Sequence, residues 1–198
     1  MQLTIFICPG IHEQRLTEKF LEVLMGDARV ITPNSSEPKV LIFPSQDYPA
    51  YSAIHILDFL HLHNSRQTPV IFISFSAGVV GAIGAAWGWQ LAGGEVRAFI
   101  AVDGWGVPLS GNFPLYRLSH DYFTHWSSAL LGTGEDSFYA DPATEHLNLW
   151  SKPDLCKGWS IRPEKGNRPQ LRTFTTAAQF LKELLSRNML SLHPEGKP

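Results

Sequence analysis

The sequence predicts one α/β domain, residues 1–190, in which a mostly parallel sheet of about six strands lies between two layers of helices. Short apolar segments rich in β-branched and aromatic residues alternate with helical patterns along the chain. These segments are almost continuously apolar, which is typical of parallel strands buried on both faces. A chain of 198 residues, 44% hydrophobic and 17% charged, suits one core. Residues 191–198 are expected to form a flexible tail.

Each predicted strand is a short apolar segment. Pro9-Gly10 ends the first strand and Pro44 ends the second, because proline has no N–H group for the strand ladder. The last two strands have the weakest patterns. In chain order the predicted strands are Leu3–Cys8, Val40–Phe43, Val70–Ser74, Arg97–Val102, Leu115–Ser119 and Ser137–Ala140.

The predicted helices have recognisable starts and ends. Leu16–Met25 carries apolar residues on one face and ends before a glycine. Ser52 is suited to cap a second helix, and a third continues from Ser76 to about Leu91. Thr176 and the residues after it match a capping box that begins a final helix.

The third helix contains Gly78, Gly81 and Gly84, one glycine every three residues. A dinucleotide-binding loop has its glycines before and at the helix start, whereas these lie inside the helix. Close packing of the helix against the sheet explains them better.

The segment Ser74-Phe75-Ser76-Ala77-Gly78 joins a buried strand directly to a helix. A nucleophile elbow requires this context, with small residues two positions either side of the central serine. The helix N-terminus also favours negative charge that develops beside Ser76. Ser76 is therefore the candidate nucleophile, and the alternative is a serine that only caps the helix.

On these residues the chain resembles the α/β-hydrolase superfamily, and its order of elements is similar to that of minimal lipase- and cutinase-like serine esterases. The resemblance implies a triad in the order serine, acid, histidine, each after a later strand. It departs from the common form at Ser74, where glycine is usual. The implied enzyme uses an acyl-enzyme and needs no metal or cofactor.

His146 is the predicted base of this triad, because it lies on a loop after the last predicted strand and before an apolar segment. Four histidines precede the serine, and one lies in the tail. His120 and His125 remain as minor alternatives.

Asp121 is the predicted acid, since it ends the segment read as a strand and lies 25 residues before His146. Asp103 is the main alternative, because some lipases of this superfamily carry the acid after the earlier strand. Asp136 and Asp141 are also open. The backbone N–H groups of Ala77 and Ile11 are the predicted oxyanion hole, with a glycine before Ile11 allowing close approach.

Other features limit the substrate and the location. A net charge of −2 gives no electrostatic reason to expect nucleic acid or an anionic membrane as partner. Cys8 is expected to be a buried thiol, and neither cysteine belongs to a zinc motif. With no signal peptide or membrane-spanning segment expected, the predicted location is the cytoplasm. The basic segment 160–169 is expected to be a solvated loop.

Several aromatic residues are expected to border the site, which suits a small ester-like substrate with an apolar group. They are Trp105, Phe113, Tyr122, Phe123 and Trp126, of which Trp105 and Phe123 are alternatively core residues. A catalytically inactive scaffold that binds a small ligand or a protein partner is the main alternative function. A metal site made of His120, Asp121 and His125 is a weaker one. The oligomeric state is left open.

Overall fold

A computed structural model describes residues 3–26, 38–132, 134–163 and 170–190. The expected tail, 191–198, lies outside the described residues. The described strands are β1 (Thr4–Cys8), β2 (Lys39–Ile42), β3 (Val70–Phe75), β4 (Val96–Val102), β5 (Leu115–Ser119), β6 (Ser137–Ala140), β7 (Lys157–Arg162) and β8 (Leu171–Thr176). The described helices are α1 (Gln14–Met25), α2 (Ala53–His63), α3 (Ala77–Leu91), α4 (Tyr122–Ala129), α5 (His146–Ser151) and α6 (Ala177–Leu190).

The eight described strands form one sheet in the order β2-β1-β3-β4-β5-β6-β7-β8. The first six strands in this order are parallel, and β7 and β8 extend the sheet as an antiparallel pair. The predicted α/β class is therefore confirmed, and the architecture is consistent with an α/β-hydrolase-like fold. The prediction of about six strands is too low, because β7 and β8 add two strands to the sheet.

Helices cover both faces of the sheet, as the alternating side chains of β1 illustrate. Ile5 and Ile7 belong to one apolar cluster, which includes residues of α1, α5 and α6. Phe6 and Cys8 point to the opposite face and join a second cluster with residues of α2 and α3. Side chains of successive strand residues point to opposite faces, so nearly every residue of such a strand must be apolar.

Two segments differ from the sequence prediction. The strand expected to reach Asp121 ends at Ser119, and Asp121 is the N-cap of α4. Its Oδ1 accepts a hydrogen bond of 2.6 Å from the Thr124 N–H, which satisfies a free donor of the first turn. The basic segment expected to be a loop contributes its first residues, Ser160 to Arg162, to β7.

The glycines of α3 pack differently from the prediction. A Cβ atom on Gly81 would lie 2.6 Å from the carbonyl oxygen of Ala50, and one on Gly84 would lie 2.8 Å from the Cβ of Ala53. These two glycines therefore let α3 approach the start of α2 rather than the sheet. Gly78 instead faces the end of β1, where a Cβ would lie 2.4 Å from the carbonyl oxygens of Cys8 and Pro9.

Candidate active site

Ser76 lies on the abrupt turn between β3 and α3. Its φ of 52° is in a region that side-chain-bearing residues rarely adopt, and it costs about 1–3 kcal/mol. The Ser76 N–H donates to the Val102 carbonyl at 3.0 Å, so the neighbouring strand holds the turn in place. The residue is partly exposed. This is a geometry in which the hydroxyl can meet both a second side chain and a ligand.

The residues around the turn explain its tolerance of a serine at position 74. Ser74 is fully buried, and its hydroxyl donates to the Ile100 carbonyl of β4 at 3.3 Å. The polar atom that replaces the usual glycine is therefore satisfied within the sheet. Gly10 is packed against the turn itself, because an added Cβ would lie 2.9 Å from the Cβ of Ser76. The loop after β1 thus reaches the serine.

His146, at the start of α5, is the histidine that contacts Ser76. Its Nε2 lies 3.0 Å from the Ser76 Oγ, and its Nδ1 lies 2.6 Å from Oδ2 of Asp103. A carboxylate only accepts, so Nδ1 carries the proton and Nε2 is free to accept from the serine hydroxyl. The ring stacks on Phe75 with centroids 4.7 Å apart, and the side chain is 41% exposed.

Asp103, and not Asp121, is the carboxylate beside His146. Asp103 directly follows β4, its φ is 54°, and the residue is only 4% exposed. Burial alone would raise the pKa of its carboxyl group, but hydrogen bonds from His120 and His146 outweigh burial and leave the pKa below its ordinary value. The carboxylate is thus held ionised next to two imidazole rings.

The other candidate acids lie in different surroundings. Asp121 caps α4 and does not contact His146, because the chain turns away from the sheet two residues after β5 ends. Asp136 is buried and forms ion pairs with Arg162 at 3.3 Å and Arg187 at 2.6 Å. Asp141 accepts a hydrogen bond of 2.9 Å from the indole N–H of Trp159. Each of these three carboxylates therefore has a partner outside the Ser76 and His146 pair.

His120 is the site residue whose place sequence analysis missed. The sequence suggests a base or a metal ligand, yet the ring lies against Asp103, with Nδ1 at 2.9 Å from Oδ1 and 2.8 Å from Oδ2. Its pKa is raised, first by the hydrogen bond to Asp103 and against the effect of burial. The signal was present in the sequence, because His120 follows β5 and Asp103 follows the adjacent β4.

His12, in the loop after β1, also adjoins the site. Its ring lies 5.5 Å from that of Phe75, and its Nδ1 donates to the Glu13 carbonyl at 2.9 Å. Burial lowers the pKa of His12, and the hydrogen bond to the Glu13 carbonyl offsets only part of that effect. His12 is therefore a neighbour of the site in which burial favours the neutral imidazole.

The predicted oxyanion donors lie on the two segments that meet at Ser76. Ala77 is the first residue of α3, and Ile11 follows Gly10 with a side chain that is 74% exposed. The structure thus brings both loops to the same turn. Their N–H groups remain the predicted donors.

One group of potential metal ligands occurs among the described residues, formed by Asp103, His120 and His146, whose ligand atoms lie within 4.8 Å of one another. The same atoms form the hydrogen bonds given above, which account for the cluster without an ion. The trio His120, Asp121 and His125 is not brought together as a site. His125 packs against the ring of Tyr139, 5.0 Å away.

Large apolar side chains project from the loops and helices at the serine edge of the sheet. They follow the carboxyl ends of the parallel strands, as Ser76 does, and the exposed ones are Ile11, Trp105, Tyr122, Phe123, Trp126 and Leu147. Trp105 and Phe123 are therefore not core residues. Phe113 is buried against Phe99 and Trp87, so it does not border the site as expected.

A cavity of about 1020 Å³ is lined by Pro9 and His12 of the loop after β1, but not by the serine or the residues that contact it. The cavity is also bordered by α1, β2 and α6. A smaller cavity of about 570 Å³ lies between the start of α4 and the end of β6, where Asp121 and Tyr139 line it.

The comparisons with known proteins add little to this geometry. No family model and no curated protein matches the chain. Among solved structures, one match is YbtT, a type II thioesterase from the yersiniabactin NRPS/PKS biosynthetic pathway, with a TM-score of 0.36 and 13% sequence identity. The match covers 50% of this chain and 41% of that one, less than half of the thioesterase. The functional argument therefore depends on the site alone.

Among the described residues, no helix has both the length and the apolar character needed to cross a bilayer.

Proposed function

We propose that this protein is a serine hydrolase that cleaves a carboxylic ester or thioester through an acyl-enzyme. The observation that carries the proposal is the 3.0 Å contact between Ser76 Oγ and His146 Nε2, continued by the 2.6 Å contact between His146 Nδ1 and Asp103. A serine hydroxyl is a weak nucleophile until a base takes its proton, and an acid must orient that base.

In the proposed reaction, Ser76 Oγ attacks the carbonyl carbon of the substrate while His146 Nε2 takes the hydroxyl proton. Asp103 stabilises the imidazolium that forms. The N–H groups of Ala77 and Ile11 would bind the oxyanion, and His146 then returns the proton to the departing alcohol or thiol. A water molecule, activated by the same imidazole, releases the acyl group and restores Ser76.

The exposed side chains around the serine edge support a substrate with an apolar group. Trp105, Phe123 and Trp126 present aromatic surface to solvent. Burial of such surface against an acyl chain or an aromatic leaving group is favourable by about 25 cal/mol per Å². We therefore propose a small ester-like molecule with an apolar part as the substrate.

Labelling with a fluorophosphonate probe tests the proposed function. We expect the purified protein to be labelled and to hydrolyse p-nitrophenyl butyrate faster than p-nitrophenyl acetate. The S76A variant should not be labelled, and its kcat should fall by about 10⁴-fold or more. A folded wild-type protein that neither labels nor turns over either ester would favour the alternative of a ligand-binding scaffold.

A further inference from the structure

His120 contacts the Asp103 carboxylate through both its backbone N–H and its imidazole ring. Its backbone N–H donates to Oδ1 at 3.1 Å, and its ring Nδ1 lies 2.9 Å and 2.8 Å from the two carboxylate oxygens. His146 Nδ1 contacts Oδ2 of the same carboxylate at 2.6 Å. One buried carboxylate is therefore shared by two imidazole rings, of which only one reaches the serine.

The carboxylate needs such support because its position is constrained. Asp103 has a φ of 54° and is 4% exposed, so its charge lies away from water on a strained backbone. A buried carboxylate is stabilised only by the donors around it. With His120 bound across both oxygens, the carboxylate plane is fixed and Oδ2 stays directed at His146.

We propose that His120 is a positioning residue, which orients Asp103 and sets how much negative charge that carboxylate offers to His146. This inference rests on the proposed function, because it concerns the same Ser76–His146–Asp103 arrangement. His120 need not contact the substrate for this role.

Charged groups from three segments face His120. Asp103 lies at the end of β4, and Asp121 Oδ2, on the same segment as His120, lies 3.5 Å from Nε2. Glu145, before α5, adds a more distant negative charge, and the His146 ring is 6.1 Å away in an edge-to-face arrangement. The three carboxylates favour a proton on His120, and burial of the ring opposes it.

The proton on His120 should affect the reaction. When the ring is charged, it neutralises part of Asp103 and places a positive charge near His146, so the imidazolium formed in the transition state is less stabilised. When His120 loses that proton, Nδ1–H still donates to Asp103, and the full carboxylate charge acts on His146. We therefore expect kcat/KM to rise further as His120 loses its proton.

The test measures p-nitrophenyl butyrate hydrolysis between pH 5.5 and 9 in wild type, H120N, H120A and S76A. H61N is the control, because His61 lies on α2 and its ring contacts Trp89. We expect H120A to lose about 10- to 100-fold in kcat, with KM changed less than threefold, because a hydrogen bond to a buried charged group is lost. The asparagine amide can still donate, so H120N should recover most of kcat but lack the additional pH-dependent step. H61N should match wild type.

The outcomes separate this inference from the proposed function. If S76A is inactive while both His120 variants keep the wild-type kcat and pH profile, the role of His120 is refuted and the hydrolase proposal stands. Equal losses in H120N and H120A, with the wild-type pH profile retained, would also refute it, since neither donor nor charge would then matter. If S76A is as active as wild type, the proposed function itself fails.

Discussion

The ends of β4 and β5 are neighbours in the sheet, and each is followed by an aspartate with a different environment. Asp103 is the first residue after β4, is buried, and accepts hydrogen bonds from two imidazole rings. Asp121 comes two residues after β5, has an extended backbone with φ of −155°, and caps α4. The chemical group is the same, but one carboxylate contacts the imidazole of the candidate base and the other stabilises a helix.

The comparison shows that the position of the preceding strand in the sheet decides which aspartate lies beside Ser76 and His146. Ser76 follows β3, and β4 is its direct neighbour, whereas β5 is one strand further away. Adjacent strands are about 4.8 Å apart, so a residue just past β4 lies one spacing from Ser76 and a residue past β5 lies two. His146 follows β6, yet its ring extends back and contacts both Ser76 and Asp103.

Removing the charge of each aspartate separately tests most directly which of the two acts as the acid. We expect D103N to reduce kcat by about 10⁴-fold, because an amide in place of the carboxylate no longer stabilises the His146 imidazolium or fixes the required tautomer. D121N should reduce kcat by less than about tenfold, since asparagine can still cap α4. Steady-state hydrolysis of p-nitrophenyl butyrate measures both.

Circular dichroism of both variants provides the control for folding. Equal activity losses in two folded variants would contradict the assignment of Asp103 as the acid. A larger loss of kcat in D121N than in D103N would support Asp121 as the acid, as predicted from the sequence.

Much of the fold could be predicted from the sequence because buried parallel strands leave a strong pattern. The predicted strands Leu3–Cys8, Val70–Ser74 and Arg97–Val102 agree with β1, β3 and β4 to within one residue at one end. The two added strands left no such pattern, because β8 has mostly exposed side chains and β7 mixes polar and apolar ones. Strands near a sheet edge need not be apolar on both faces, so β7 and β8 resemble loops in sequence.

The candidate site could be predicted only in part. Ser76 and His146, which lie 3.0 Å apart, could be predicted as neighbours because a strand–turn–helix motif and the position after the last parallel strand are local or ordinal features. The choice between Asp103 and Asp121 depended on a three-dimensional distance that a spacing of 25 residues does not determine. The eight residues of α4 were missed because Tyr122, Phe123 and Trp126 favour strands as much as helices.

A smaller effect should separate the structural role of Asp121 from the proposed role of Asp103. We expect D121A to lower the free energy of unfolding by about 1 kcal/mol, because the Thr124 N–H loses its capping acceptor. For a domain of this size that corresponds to a Tm about 2–4 °C lower. Thermal unfolding followed by circular dichroism measures the shift. D121S should keep most of the stability, and a D121S protein as unstable as D121A would argue against capping.

The smallest effect concerns His120, which lies between the two aspartates. Its pKa is raised by the hydrogen bond to Asp103, so its contribution to stability is complete below its ordinary pKa of about 6.5 and is lost as the pH rises through the higher folded value. His12 and His125 have pKa values lowered by burial and act in the opposite direction, so the wild-type curve alone mixes both effects.

The difference in Tm between wild type and H120N isolates His120. We expect wild type to have an advantage of about 1–3 °C near pH 6 that decreases towards pH 9, since the ring is partly exposed and its ion pair is screened. A difference in Tm that stays constant or grows with pH would show that the proton on His120 does not stabilise the fold. The different environments of Asp103 and Asp121 would then have no consequence for the charge of the histidine between them.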